Sequence, residues 1–115
     1  MTIEEIVIGY LTSKGIADGA VYAEVPANDI PDNYVLIQRS SGSINNHIRQ
    51  LGLYTEARSR NSKVDAARLH EDVIAVMQSI RDETPLFRCD LNADYDAAQT
   101  STKEYRYQAL WEITM

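Results

Sequence analysis

Apolar residues between Leu51 and Ile80 follow two successive rhythms, first every second position and then every third or fourth, and the rest of the chain is organised around that change. From Leu51 to Arg58 the alternation puts Leu51, Leu53, Thr55 and Ala57 on one side and Tyr54, Glu56 and Arg58 on the other, which predicts a strand able to begin as early as Ile48. From Ala66 through Leu69, Val73, Val76 and Ile80 the spacing becomes helical, and Ile74 and Met77 widen the stripe into a full buried face. Ser62 followed by Asp65 supplies a helix start, and Thr84 with Pro85 a stop. The predicted helix runs to about Arg81, roughly 30 Å at 1.5 Å per residue. Its larger apolar side chains are each worth about 1.5–3 kcal/mol when buried, so this helix is the main expected source of core stability.

The flanking segments carry weaker versions of the same signals. Thr2 and Glu5 fit a capping box, after which Ile3, Ile6, Val7, Tyr10 and Leu11 share one face and Lys14–Gly15 provides a helix end. Ala20–Val25 alternates and is closed by Pro26, predicting a first strand. Residues 27–33 have turn chemistry, and Tyr34–Arg39 starts so continuously apolar that burial on both faces is expected. Ser40–Asn46 is polar and reads as a mobile tip or arm. Leu86–Leu91 forms a fourth strand of mixed pattern, Asn92–Thr102 a polar loop, and Glu104–Met115 the clearest strand, with Tyr105, Tyr107, Ala109, Trp111, Ile113 and Met115 on one face.

The order α-β-β-β-α-β-β predicts an α+β fold, a two-layer sandwich whose two helices cover one face of a largely antiparallel sheet. Tyr34 and Tyr54 are expected on the opposite face with Arg and Gln residues, a composition that suits either a subunit interface or a solvated face. At 115 residues the chain has the size of one domain, and 44% apolar with 24% charged residues is ordinary for a globular protein. No apolar run is long enough to span a bilayer, and residues 1–10 hold two Glu and no basic residue, unlike a secretory leader. These features, with a lone cysteine, are those of a cytosolic protein. A net charge of −6 argues against a dedicated nucleic-acid binder.

Candidate chemistry changes this picture little. His47 and His70 lack metal-ligand spacing, and His70–Glu71 lacks the second histidine of a zinc helix, which makes His70 a residue at the edge of the helix stripe. Cys89 sits among apolar alternates with no activating neighbour and reads as a structural thiol. Asp90, Asp94 and Asp96 lack the glycine and terminal glutamate of a calcium loop and read as a solvated acidic strand end. The glycine within Ser40–Ser43 has no following lysine and is no phosphate loop. No catalytic, cofactor or metal residue is therefore expected.

The basic group is less ordinary. Arg49, Arg58, Arg60, Lys63 and Arg68 face only Glu56 and Asp65 in their stretch, and Arg58, Arg60 and Lys63 precede a helix N-terminus, where the dipole favours acids. Either they pair with acids elsewhere in the fold, or they meet an anionic partner. Arg49, Tyr54, Arg58, Arg60 and Lys63, with Ser41, Asn45 and Asn46 of the polar arm, are the candidate partner or subunit interface.

With this element order, the chain resembles the tail terminator (tail completion) proteins of long-tailed bacteriophages and prophages. The resemblance spans nearly the whole chain and rests on the opening helix, Val21, Tyr22, Glu24, Val25 and Pro26, then Ile30, Pro31, Tyr34, Val35 and Ile37, the strand, turn and helix from Tyr54 through Ser62, Ala66 and Ala67, and the closing strand with Arg106, Tyr107 and Trp111. It implies a non-enzymatic structural subunit of the virion tail, assembled in the host bacterial cytoplasm. Its partners would be its own copies in a hexameric ring, the tail tube protein and the head connector protein, with DNA passing through without specific binding and no membrane. Six such subunits would carry about −36 formal charge, and an acidic channel repels phosphates. A ring needs heterologous interfaces, for which the Ser40–Asn46 arm and the Asn92–Thr102 loop are candidate donors. A related neck or tail-tube component on the same scaffold is an alternative, and so is a small regulatory or ligand-binding domain acting as a dimer through a sheet-face pocket near Tyr34, Tyr54 and Trp111.

Overall fold

The computed structural model describes residues 2–45, 48–86, 88–97 and 104–115. Helix α1, Ile3–Ser13, starts with the expected capping box: Thr2 Oγ1 accepts from the Glu5 amide at 3.2 Å, and Glu5 Oε1 accepts from the Thr2 amide at 3.4 Å. It ends where Gly15 takes a left-handed φ of 75°, a conformation that costs glycine nothing. A 3₁₀ turn, Ile16–Gly19, follows, in which Ala17 and Asp18 are also left-handed. β1 is only Val21–Tyr22 and pairs parallel with β2, Asn33–Asn45. The longer strand expected over Ala20–Val25 does not form. Residues 23–25 are exposed, and Ile30 further along packs against Tyr34 and Leu36.

The central hairpin joins β2 to β3, Ile48–Ser59, antiparallel from Asn33↔Ser59 to Asn45↔Ile48. Helix α2, Lys63–Met77, is capped by Ser62, whose Oγ accepts from the Asp65 amide at 3.1 Å. The single helix expected to reach Arg81 is instead two, because α2 stops before Ser79 and α3, Ile80–Glu83, resumes beyond it. Ser79 Oγ donates to the Val76 carbonyl at 3.1 Å and lies 2.8 Å from the Tyr10 hydroxyl, so a local side-chain bond competes with the helix ladder there. β4, Arg88–Ala97, and β5, Tyr105–Thr114, complete a five-stranded sheet of order β1-β2-β3-β5-β4, antiparallel except for β1.

Two polar segments expected outside the sheet belong to it. Residues 40–45 continue β2, and residues 92–97 continue β4; residues 98–102 of the expected loop lie outside the described residues. In both cases the neighbouring strand provides the hydrogen-bonding partner, and the backbone pairs despite a composition of Ser, Asn and Asp.

The helices cover one face, as expected. Ile3, Val7 and Leu11 of α1 and Leu69, Val73 and Met77 of α2 meet Val35, Ile37, Leu51, Leu53, Ala57, Trp111 and Ile113 in one core. Trp111 is 1% exposed and donates from Nε1 to Thr55 Oγ1 at 2.9 Å, which satisfies its one polar atom inside that core. Tyr34 to Ile37 are all buried, so the start of β2 is enclosed on both faces.

Bulges interrupt two strands. Ser40 is an extra residue between Arg39↔Leu53 and Ser41↔Gly52, and Asn92 is one between Leu91↔Trp111 and Ala93↔Leu110. The second explains an otherwise odd placement. Cys89 and Leu91 share the helix-covered face with Asp94 and Asp96, although their numbers differ in parity.

Candidate functional site

The sheet face away from the helices carries a buried polar network at one end. In register across the strands stand Tyr34, Arg58 and Arg106 in one row and Leu36, Glu56, Gln108 and Tyr95 in the next. Glu56 is 3% exposed and accepts from Arg58 Nε and Gln108 Nε2, with Arg106 Nη1 at 3.7 Å. Arg58 Nη1 donates to the Tyr34 hydroxyl at 3.3 Å and lies 3.6 Å from Glu104, while that hydroxyl donates to Glu104 Oε2. Tyr95 at the edge donates to Gln108 Oε1 at 2.6 Å.

This arrangement moves two ionisations. Burial pushes the Tyr34 hydroxyl above its ordinary pKa, and its bond to Glu104 pushes it further in the same direction. Burial opposes the charge of Arg58, but the Tyr34 and Glu56 oxygens outweigh it and hold the guanidinium more firmly protonated. Charge and hydrogen bonding are thus satisfied by neighbours on the same sheet face, an arrangement suited to orienting side chains rather than to transferring protons.

The candidate interface residues fall into two groups. Arg58, Arg60 and Lys63 pair with acids of their own chain, Arg58 as above, Arg60 with Asp32 at 3.6 Å and with the Ile30 carbonyl, and Lys63 with Asp96 at 2.5 Å. Asp96 reaches Lys63 because the Asn92 bulge puts it on the helix side. Its carboxylate holds the Lys63 ammonium pKa above the ordinary value. The second group is Ser41 and Arg49, which stand on the hairpin away from this cluster, with Asn45 at the end of β2. Asn46 and His47 lie outside the described residues. Tyr54 is half-buried on the network's face between Gln38 and Leu110.

Tyr34, Tyr54 and Trp111 do not line one pocket. Trp111 faces the helices and the two tyrosines face away from them, so the expected sheet-face pocket is replaced by the polar network. Open concavities lie elsewhere. One of about 770 Å³ lies between the 3₁₀ turn and α2, bordered by Asp18, Tyr22, Asp32, Asp65 and Arg68. Another, of about 400 Å³, is a trough on the outer sheet face beside the hairpin, floored by Gly52 and Leu110 and flanked by Ser41, Arg88, Asp90 and Glu112.

His70 is more enclosed than a stripe-edge residue. It is 2% exposed, stacked on Tyr107 with ring centroids 5.5 Å apart, and its Nε2 is 3.5 Å from Asp94. Cys89 is half-buried, and burial, then the Asp90 charge, pushes its thiol up to about 12. Asp90 takes Arg88 at 2.5 Å, so each of the three strand acids faces a basic or imidazole group. Among the described residues no cluster of His, Cys, Asp and Glu could hold a metal ion, and no helix is long and apolar enough to cross a membrane.

Sequence reasoning placed Tyr34, Glu56, Arg58, Arg106 and Gln108 on one face without joining them. The available signal was Glu56 itself, a lone acid inside an alternating strand flanked by Arg58 and aligned with basic and amide residues. Glu104 carried no such signal. No protein-family model matches the chain, and no match is found among curated proteins.

Proposed function

We propose that this chain is a structural ring subunit of a phage or prophage tail, which caps the tail tube, stops its polymerisation and joins it to the head connector. The observation that carries the reading is the unlike character of the two sheet edges. On one side β1 covers only Val35 and Leu36 of β2, so the hairpin itself, free of Asp and Glu from Asn33 to Thr55, forms that edge; on the other, β4 presents an acidic strand. Unlike surfaces at opposite sides of a subunit suit head-to-tail contact, which closes into a ring when the rotation permits. The resemblance of the chain to tail terminator proteins supports the same reading, as does a net charge of −6, since an acidic ring lets DNA pass without holding it. The paired states of Arg58, Arg60 and Lys63 remove the main departure from such a lining.

On this reading the protein works in the virion tail after assembly in the host bacterial cytoplasm, and its partners are its own copies, the tail tube protein and the head connector protein. The test is native mass measurement of the purified chain alone and with polymerised tail tubes, together with electron microscopy of tails from phage lacking the gene. A hexamer-sized species on tube ends and over-long tails in the deletion are expected. A strict monomer or dimer even with tubes present refutes the proposal.

A further inference from the structure

The hairpin and the β4 edge are complementary in composition as well as in position. Between Asn33 and Thr55 there is no Asp or Glu, while Arg39 and Arg49 are present, on a chain of net charge −6. Arg39 is bound to Glu4 at 2.8 Å, but Arg49 has no ion pair among the described residues. Beside Arg49, Ile44 is 71% exposed and Ile48 is 49% exposed, the first on the helix side of the hairpin and the second on the other side. Both isoleucines leave apolar surface in water beside Arg49.

At the other edge of the sheet, β4 mixes the opposite charge with the same apolar character. Leu91 and Tyr95 are 38% and 43% exposed, among Asp90, Asp94 and Asp96. Asp90 stands directly opposite the exposed Glu112 on β5, a like-charged cross-strand pair with one cation, Arg88, bound to Asp90. A cation approaching from outside relieves that repulsion.

We propose that the hairpin of one copy docks on the β4 edge of a second copy, with Ile44 and Ile48 packing against Leu91 and Tyr95 and Arg49 reaching Asp90 and Glu112. Electrostatics favour this unlike pairing through the charges without an ion pair among the described residues, Arg49 on the hairpin and Glu112 beside β4, since like against like would set Arg49 against Arg49 or Glu112 against Glu112. A phosphate backbone would satisfy Arg49 and leave both isoleucines in water. The Asn92 bulge interrupts the hydrogen-bonding edge of β4, so the contact is made by side chains across the strand rather than by a continuous ladder. The inference deepens the ring reading, on which it rests, by naming the two surfaces that meet.

The test is directional disulfide trapping. In a Cys89→Ala background, one preparation carries Ile44→Cys and a second, distinguishable by mass, carries Leu91→Cys; the two are mixed and oxidised. Both positions are exposed, and circular dichroism verifies folding before mixing. Random collision leaves the mixed dimer at half of the cross-linked material, and the proposal expects nearly all of it to be mixed. In a separate sedimentation measurement, Arg49→Glu should weaken association about tenfold and Asp90→Arg in the other copy should restore it. Random proportions, or excess of either like dimer, overturn the proposal. Hexamers by mass with no mixed cross-link overturn it while leaving the ring reading intact, whereas a strict monomer with or without tubes overturns both.

Discussion

Glu56 offers the sharpest test of how the outer sheet face is held, and Glu56→Ala is the perturbation. Its side chain is 5% exposed, it receives Arg58 and Gln108 directly, and Arg106 lies 3.7 Å away. Removing one partner of a buried ion pair costs about 3–5 kcal/mol, because the remaining charge stays out of water without compensation. Arg58 here keeps Glu104 at 3.6 Å and the Tyr34 hydroxyl at 3.3 Å, which places the loss at the lower end, about 3 kcal/mol. For a domain stable by about 5–15 kcal/mol that is a large fraction. With a urea slope of about 1–3 kcal/mol per molar, the midpoint falls by about 1–3 M at unchanged slope. Urea unfolding followed by circular dichroism measures it, with Asp90→Ala as control, since the exposed Arg88–Asp90 pair contributes less than about 1 kcal/mol. A double-mutant cycle with Arg58→Met isolates the pair itself. If Glu56→Ala costs no more than the control, the network is a solvated surface and the enclosure of this face has been misjudged.

Three further outcomes follow from local geometry. Gly52→Ala should cost less than about 1 kcal/mol, because the added Cβ meets only the hydroxyls of the exposed Ser40 and Ser41 at the β2 bulge, which can rotate into water; a loss in thermal unfolding as large as that of a core substitution would contradict that. The Lys14 ammonium, with help from the Tyr10 hydroxyl, holds the Glu83 carboxyl below its ordinary value of 4.5. A depressed carboxyl gives stability above its unfolded pKa and loses it as pH falls through the folded one, so the stability gap between wild type and Lys14→Met should narrow between about pH 5 and pH 3; a gap constant with pH refutes this. With its thiol pushed up to about 12, Cys89 should alkylate at pH 8 at least about a hundredfold more slowly in the folded protein than in urea, and comparable rates would show the thiol is not enclosed.

What could be read from the sequence was what short-range periodicity encodes. The capping box at Thr2 and Glu5, the faces of β3 and β5, the stripe of α2 and the double-sided burial of Tyr34–Ile37 each depend on spacings of a few residues, and each forms as expected. The ends of β2 and β4 did not yield to the same reading, because Ser, Gly and Asn in one and Asp and Asn in the other belong in turns by propensity, and only the partner strand overrides it. The break at Ser79 was hidden because Ile80 keeps its place in the core across the gap. Among the candidate interface residues, charge density drew attention to Arg58, Arg60 and Lys63. Arg58 meets Glu56 two residues away within its own strand, but its second partner Glu104 and the partners of Arg60 and Lys63, Asp32 and Asp96, lie 28 to 46 residues away, beyond any local pattern. Arg49, singled out by the same charge density, differs in having no ion pair among the described residues and in standing opposite the exposed Ile44.

The Asn92 bulge yields a last prediction that separates stability from association. Asn92 is an extra residue, so its deletion leaves Leu91 opposite Trp111 and Ala93 opposite Leu110, and every side chain of β4 keeps its present face. Lys63–Asp96 and His70–Asp94 survive, and the stability of the fold changes by less than about 1 kcal/mol, the range expected where no core contact is lost. What changes is the edge. Without the bulge, β4 offers an unbroken row of amides and carbonyls, the template that natural sheets blunt with bulges and with charged side chains. Deletion of Asn92 should therefore leave the melting curve nearly unchanged while raising self-association in light scattering. That added association should survive high salt, because a backbone ladder is not screened as the Arg49 contact is. A variant that unfolds, or one that stays as dispersed as wild type, would show that Asn92 shapes the strand itself and not the way its edge meets another chain.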